Sequence, residues 1–132
     1  MPRAQWPLHQ GRPAIRIFLT LAVGGHRVAR RLLADTGAGS TGVACDLLLE
    51  DQDCLSCGGT RVGSIRLGRA YTGRYPLYAI RVQVPELGFD ANVPAAGISS
   101  FPRGFQGSAC FRFLNRFTYG NFGDPGQFGL ET

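Results

Sequence analysis

One stretch of this chain reads Leu32-Leu33-Ala34-Asp35-Thr36-Gly37-Ala38-Gly39-Ser40-Thr41. In it, an apolar run brings the carboxylate of Asp35 to a point where a hydroxyl residue and a glycine follow. This order is typical of a strand that ends in a tight turn, where backbone amides can face the carboxylate. An ordinary strand-to-turn boundary uses the same residue types, so the role of Asp35 depends on the rest of the chain.

The chain has the size and composition of one globular domain. Its 132 residues are 44% hydrophobic and 17% charged, which suits a single buried core. The 19 glycines and 8 prolines favour many short strands and turns over long helices. We therefore predict a mostly β domain over residues 14–132, preceded by an extended, proline-containing N-terminal arm over residues 1–13.

The charge of the chain identifies no partner. Its 14 basic residues are all arginine, and the formal net charge is +5. The arginines are scattered from Arg3 to Arg116, so no basic stripe predicts nucleic-acid binding. No apolar run reaches the about 18 residues of a membrane-spanning helix, and no secretory signal is recognised. We expect a cytoplasmic protein that binds neither nucleic acid nor a membrane.

Alternating apolar residues predict a first hairpin. The odd positions from Ile15 to Val23 are all apolar, which places them on one face of a strand. Gly24-Gly25 then predicts a two-residue hairpin loop. The segment His26–Ala34 is expected to return antiparallel to the first strand and to end at the carboxylate.

The rest of the chain is predicted to alternate strands and turns, with one helix. Further strands or extended segments are expected at residues 41–49, 61–67, 76–84, 89–93, 118–122 and 128–131. An exposed loop is expected over residues 50–60, a turn over 85–88 and another loop over 99–107. Apolar residues recur at helical spacing between Ala109 and Phe117, so residues 108–117 are the predicted α-helix, with Ser108 as its N-cap.

This order of elements resembles the single-domain retropepsin-like aspartic peptidases. The resemblance rests on the Asp-Thr-Gly-Ala loop within residues 32–41 and on the helix segment Phe113-Leu114-Asn115-Arg116-Phe117. It covers roughly residues 14–131, and it implies a closed β-barrel with a flap hairpin and one short C-terminal α-helix. The chain departs from the family just before the helix. There the family usually has a glycine, two bulky apolar residues and a second glycine, and this chain has Gly107-Ser108-Ala109-Cys110.

The resemblance implies the site of an aspartic endopeptidase. Asp35 would be the catalytic carboxylate, Thr36 would brace the loops of two subunits, and Gly37 would let the backbone approach the substrate closely. The flap over the substrate would fall at residues 68–74. The implied substrate-binding residues are Gly37, Ala38, Arg69, Ala70, Tyr71 and Thr72. Neither a metal nor another cofactor is implied.

Amide hydrolysis by carboxylates needs two of them, one to take a proton from water and one to donate a hydrogen bond to the carbonyl. The chain has one Asp-Thr-Gly, and none of its other eight acids lies in a comparable turn. We therefore expect a homodimer in which Asp35 of each copy completes the pair. An extended peptide or protein substrate would lie between the subunits. Residues 128–131 and the N-terminal arm are expected to pair with those of the second copy.

Two alternatives stay open. Cys54-Leu55-Ser56-Cys57 has the spacing of a zinc knuckle or a redox pair, but the sequence has no second pair of that spacing and no βαβ context. The second alternative is a non-catalytic retropepsin-like module that dimerises and binds an extended peptide. The small residues Ser108-Ala109-Cys110 favour this module, whereas the intact Asp-Thr-Gly motif favours the peptidase.

Overall fold

The structure is a computed structural model that describes residues 1–38, 44–68 and 71–132. Within these ranges the chain forms ten strands and two short α-helices. In chain order they are β1 Arg3–Pro7, β2 Ala14–Thr20, β3 Arg27–Ala34, β4 Leu47–Glu50, α1 Asp51–Ser56, β5 Thr60–Leu67, β6 Gly73–Val84, β7 Phe89–Ile98, β8 Gly107–Ala109, α2 Phe111–Leu114, β9 Thr118–Gly120 and β10 Gln127–Glu131. No helix among the described residues is long and apolar enough to cross a membrane.

Six strands close into a barrel. Their order is β2-β3-β8-β4-β7-β6, and β6 pairs again with β2, where Phe18 lies opposite Gln83 and Leu19 opposite Val82. Strand β5 extends the sheet beyond β6 and forms a long hairpin with it. The predicted mostly β fold, a closed barrel with a flap hairpin and one short C-terminal helix, is therefore confirmed.

The barrel interior is filled by the apolar faces of its strands. Period-2 alternation on β2 places Ile15, Ile17 and Leu19 inside, each 1% exposed or less. Phe113 of α2 is fully buried, and its ring meets those of Phe89 and Phe117 edge to face at centroid distances of 5.6 and 5.5 Å. This packing fixes α2 against the barrel.

Strand β8 lies between β3 and β4, although it follows both much later in the chain. It pairs parallel to β3 and antiparallel to β4. A Cβ at Gly107 would collide with the Leu48 carbonyl and the Leu32 side chain, so only glycine lets the three strands approach this closely. Residues 35–46, here called the Asp35 loop, connect β3 to β4, and β8 runs beneath the base of this connection.

The chain termini form a second sheet of three strands, in the order β1-β10-β9. Within the predicted N-terminal arm, β1 pairs antiparallel with β10, from Arg3 opposite Glu131 to Pro7 opposite Gln127. Strand β9 pairs with the other side of β10 at residues 129–131. Both edges of residues 129–131 are thus paired within one chain, and the expectation that the terminal segments pair with a second copy stays a prediction.

Residues 50–60, predicted as an exposed loop, contain α1 instead. This helix buries Asp53 and Cys54. The Asp53 carboxylate accepts hydrogen bonds from Nε and Nη2 of Arg30 on β3, at 2.8 and 3.0 Å. An acid that reads as solvated in the sequence is thus paired with the barrel, and this long-range ion pair helps to place the helix.

The C-terminal helix is shorter than predicted. It was expected over residues 108–117 with Ser108 as the cap, but α2 is Phe111–Leu114 and Cys110 occupies the N-cap position. Ser108 lies in β8 and is 2% exposed. Pairing of the backbone at residues 107–109 with β3 and β4 replaces the expected first turn of the helix.

Several strand boundaries also differ from the prediction. The first hairpin loop is longer than two residues, because β2 ends at Thr20 and β3 begins at Arg27. Gly24 and Gly25 turn the chain there with φ values of +84° and +69°. Val23, expected on the buried face, is 88% exposed. Strand β7 continues beyond its predicted end, because β4 pairs parallel with its second half.

Candidate active site

Asp35 follows β3 directly and is held by backbone hydrogen bonds. Its N–H donates to the Ala109 carbonyl of β8 at 3.0 Å. Its Oδ1 accepts the N–H of Gly37 at 3.1 Å, and its carbonyl accepts the N–H of Ala38 at 3.2 Å. The residue is half-buried. The backbone of Asp35 is therefore fixed, while part of its side chain reaches solvent.

The next three residues form the described part of the turn. Thr36 and Gly37 are exposed, and Ala38 is half-buried. The Ala38 carbonyl accepts the N–H of Phe111, the first residue of α2, at 2.9 Å. This bond connects the start of the Asp35 loop to the helix. Gly39, Ser40 and Thr41 lie outside the described residues.

Asp46 fixes the other end of the Asp35 loop and is fully buried. Its N–H donates to the Pro94 carbonyl at 2.8 Å, and its carbonyl accepts the N–H of Cys110 at 2.9 Å. Arg116 Nε donates to Asp46 Oδ2 at 2.7 Å, and Arg112 Nε lies 3.3 Å from Oδ1. The end of the loop is thus bound to β7, to the β8–α2 junction, and to two arginines, one in α2 and one just after it.

The departure at Gly107-Ser108-Ala109-Cys110 leaves the support of the loop intact. All four residues are buried. The Ala109 carbonyl accepts a hydrogen bond from the start of the Asp35 loop, and the Cys110 N–H donates one to its end. The hydrogen bond with Cys45 and burial both raise the pKa of Cys110, so this side chain packs as a neutral thiol. With small side chains at these positions, the backbone therefore still holds both ends of the loop.

The hairpin of β5 and β6 carries the predicted flap. Tyr71, near its tip, is half-buried, and its ring centroid lies 6.2 Å from that of Phe101. Burial and, next, the negative charge of Asp35 raise the pKa of Tyr71. Tyr71, a predicted flap residue, also lies in the same apolar cluster as Ala38 of the Asp35 loop.

Of the other predicted substrate-binding residues of the flap, the structure describes Thr72. Thr72 is exposed, and its carbonyl accepts the hydroxyl of Tyr75 at 3.5 Å. Arg69 and Ala70 lie outside the described residues. Their proposed contacts with substrate stay a prediction from the sequence.

An apolar cluster between the Asp35 loop and the flap escaped the sequence analysis. Its half-buried members are Ala38, Ile65, Leu67, Tyr71, Tyr75 and Phe101, and its buried members are Cys45, Leu48, Leu77, Ala96, Ile98 and Cys110. The cluster joins the loop, the flap hairpin and the segment after β7. A signal for it existed, because Ile65 and Leu67 alternate on a strand whose other residues are exposed.

Most of the other acids form ion pairs or hydrogen bonds with residues other than Asp35. An arginine pairs with each of Asp46, Asp53, Glu86, Asp90 and Glu131. Asp51 accepts from the Tyr78 hydroxyl, and Asp124 accepts a backbone N–H. In the part of the chain that the structure describes, no group of three or more His, Cys, Asp or Glu side chains is arranged to hold a metal ion.

The Cys54–Cys57 pair does not have the environment of a reactive site. Cys54 is fully buried on α1, and both thiols are free. Burial raises the pKa of Cys54 to about 12. Because the thiolate is the metal ligand and the nucleophile, such a thiol is inert near neutral pH. A structural role for Cys54 in the core therefore fits its surroundings.

The closed barrel, the late strand β8 beneath the Asp35 loop and the hairpin over it define the retropepsin-like fold. A solved structure with which the chain aligns is that of a retropepsin-like aspartic protease from Rickettsia conorii. The alignment has a TM-score of 0.51 and 16% sequence identity, and it covers 90% of this chain and 92% of that one. No protein-family profile matches the sequence, and no curated protein matches it either. The structural likeness confirms the predicted resemblance at the level of the fold.

Proposed function

We propose that this protein is a homodimeric aspartic endopeptidase in which Asp35 of each copy provides one carboxylate. The observation that carries the proposal is the fixed, half-buried position of Asp35 at the end of β3. Its Oδ1 accepts the Gly37 N–H, which orients the carboxylate. Under the proposed mechanism, Oδ2 would bind the attacking water.

Two such carboxylates would act as one unit. At roughly 3 Å separation they cannot both ionise cheaply, so the pair shares one proton, as in aspartic proteases generally. The ionised member takes a proton from the attacking water, and the protonated member donates a hydrogen bond to the peptide carbonyl. Neither step requires a metal or another cofactor.

The surroundings of Asp35 support further roles. Exposed Thr36 would contact the loop of the second copy, and Gly37 and Ala38 would offer backbone groups to an extended peptide. Tyr71 would cover the peptide from the flap. The apolar cluster beside it favours a substrate with apolar side chains next to the cleaved bond.

Within one chain, residues 129–131 lie between β1 and β9, so both of their edges are paired. The outer edges of β1 and β9, together with the exposed Asp35 turn, are the surfaces that would approach a second copy.

The test compares two substitutions in similar turns. Asp124 Oδ1 accepts the N–H of Gly126 at 2.9 Å, much as Asp35 Oδ1 accepts that of Gly37. Asp124→Asn is therefore a matched control for Asp35→Asn. We expect purified protein to cleave a denatured protein between about pH 4 and pH 7. Asp35→Asn should lower the rate at least about 1,000-fold, whereas Asp124→Asn should leave it unchanged.

A measurement of mass in solution accompanies the assay. Cleavage that survives Asp35→Asn would remove this carboxylate from the mechanism. A protein that is active as a strict monomer would contradict the shared site. A stable dimer that cleaves nothing would favour the non-catalytic peptide-binding module instead.

A further inference from the structure

A cavity of about 440 Å³ lies between the N-terminal segment and the hairpin of β2 and β3. None of the described residues that line it belongs to the Asp35 loop. Its apolar wall includes Trp6 and Leu8, and its polar wall includes His9, Arg16 and Arg31. The volume falls within the range of small-molecule sites.

The walls of this cavity are fixed by backbone pairing. Trp6 belongs to β1 and lies opposite Phe128 of β10. The Leu8 N–H donates to the Gly126 carbonyl at 3.0 Å. His9 exchanges two backbone hydrogen bonds with Arg12, and its ring packs edge-on against another aromatic ring. The cavity is therefore formed before any ligand binds, which lowers the cost of binding.

The charges around the cavity are unbalanced. Arg16 and Arg31 lie directly opposite each other on β2 and β3, and like charges in that arrangement repel. Arg16 pairs with Glu86 at 3.1 Å. Arg31 Nη1 lies 3.4 Å from His9 Nε2 and, among the described residues, has no carboxylate partner. No acid is among the described lining residues. Arg30 also lines the cavity and pairs with Asp53 outside it, so Arg31 is the lining guanidinium left without a carboxylate partner among the described residues.

We propose that this cavity binds a single carboxylate joined to an apolar body. The planar guanidinium of Arg31 suits a carboxylate, which it can bind through two parallel hydrogen bonds. One uncompensated positive charge matches a monoanion. The cavity is much larger than a carboxylate alone, and Trp6 and Leu8 suit an aromatic or aliphatic group. A small organic acid and the C-terminus of a peptide both offer this chemistry.

The test uses the only tryptophan of the chain, which lines the cavity, as a fluorescent reporter. The probes are 3-phenylpropanoate and its uncharged amide, titrated into the full chain at low salt. We expect the acid to saturate the Trp6 signal and to bind at least about tenfold more tightly than the amide. Arg31→Gln should weaken binding of the acid at least about tenfold.

Arg66→Gln is the matched control. Arg66 lies opposite Arg74 on the flap hairpin, so it has the same like-charged neighbour and does not line the cavity. This substitution should leave binding unchanged, and so should Asp35→Asn, because the site does not depend on the proposed peptidase. Circular dichroism verifies that each variant is folded.

A second pair of probes distinguishes the two sources of the carboxylate. An acetylated dipeptide that ends in phenylalanine is titrated with a free and with an amidated C-terminus. Tighter binding of the free peptide than of 3-phenylpropanoate would assign the site to peptide ends, and the reverse order would assign it to small acids. Equal binding of acids and amides, an equal loss in Arg66→Gln, or no saturation up to about 10 mM would overturn the proposal.

Discussion

The two sides of the candidate active site are built in opposite ways. Below the Asp35 loop, strand β8 is buried along its whole length and pairs on both sides. Above the loop, most of β5 is exposed, and the flap tip contributes Tyr71, whose ring lies beside Phe101. The buried side sets where the carboxylate lies, and under the proposed function the exposed side contacts the substrate. Substitutions below should therefore change folding, and substitutions above should change binding.

The largest effect is expected from a glycine of the buried side. Gly107→Ala places a methyl group against the Leu48 carbonyl, which belongs to a paired strand and cannot move away. We expect a loss of about 3 kcal/mol or more in the free energy of unfolding. Gly68→Ala on the flap hairpin is the matched control, since no described atom lies within 4 Å of its added Cβ. Urea denaturation of both variants should show the contrast, and an equal loss in both would contradict it.

A smaller loss is expected when the buried Asp46 loses one arginine. Arg116→Gln leaves the carboxylate with Arg112 alone, and we expect it to cost about 1–3 kcal/mol of folding free energy. Arg74→Gln on the flap removes a bond to the exposed Ser64 and should cost less than about 0.5 kcal/mol. Thermal unfolding of the two variants measures the difference. A stable Arg116→Gln protein would show that the buried carboxylate does not depend on this arginine.

On the exposed side, we expect Tyr71→Ala to alter activity more than stability. Under the proposed function, loss of the ring beside Phe101 should lower kcat/KM about tenfold or more. The half-buried position of Tyr71 limits the stability loss to about 1 kcal/mol. Val62→Ala, on the same hairpin at a position 57% exposed, should change neither quantity. The reverse result, a folding defect with normal turnover, would place Tyr71 with the buried support.

The smallest effect is expected at an exposed ion pair far from both sides. Hydrogen bonds from Arg81 and Gln83 lower the pKa of Asp90 from 3.8 to about 2. Because this pKa is depressed in the folded state, the stabilisation is present above pH 3.8 and is lost as the pH falls through about 2. Asp90→Asn should therefore shift the urea midpoint slightly near pH 6, and the shift should shrink as the pH falls towards about 2 and vanish well below it. A shift that persists in acid would have another cause.

The sequence predicted well those features that depend on neighbours in the chain. Alternation identified β2 and β6, and the Asp-Thr-Gly motif identified the turn after β3, because a strand face and a turn are local properties. The errors occur where contacts between distant segments of the chain determine the local structure. Apolar spacing over residues 108–117 fitted a helix, but the first of these residues are taken into the β3–β4 gap. Likewise, residues 50–60 read as a loop, but Asp53 pairs with Arg30 of β3, and this contact helps to place α1 there.

The candidate sites follow the same division. The motif predicted the residues of the turn. To predict the apolar cluster under the flap, one would need to know where four separate segments of the chain lie. The cavity beside Trp6 was not predictable from the sequence at all. It depends on the strand register that sets Arg16 opposite Arg31, and on β1 being held against β10.

The position of β8 also has a consequence for synthesis of the protein. A growing chain on the ribosome carries Asp35 long before it carries Ala109, whose carbonyl accepts the Asp35 N–H. Contacts between such distant segments close late. Under the proposed function, the chain would hold Asp35 without the support of β8 until residues 107–109 had been synthesised, and it would be unable to cleave other proteins before then.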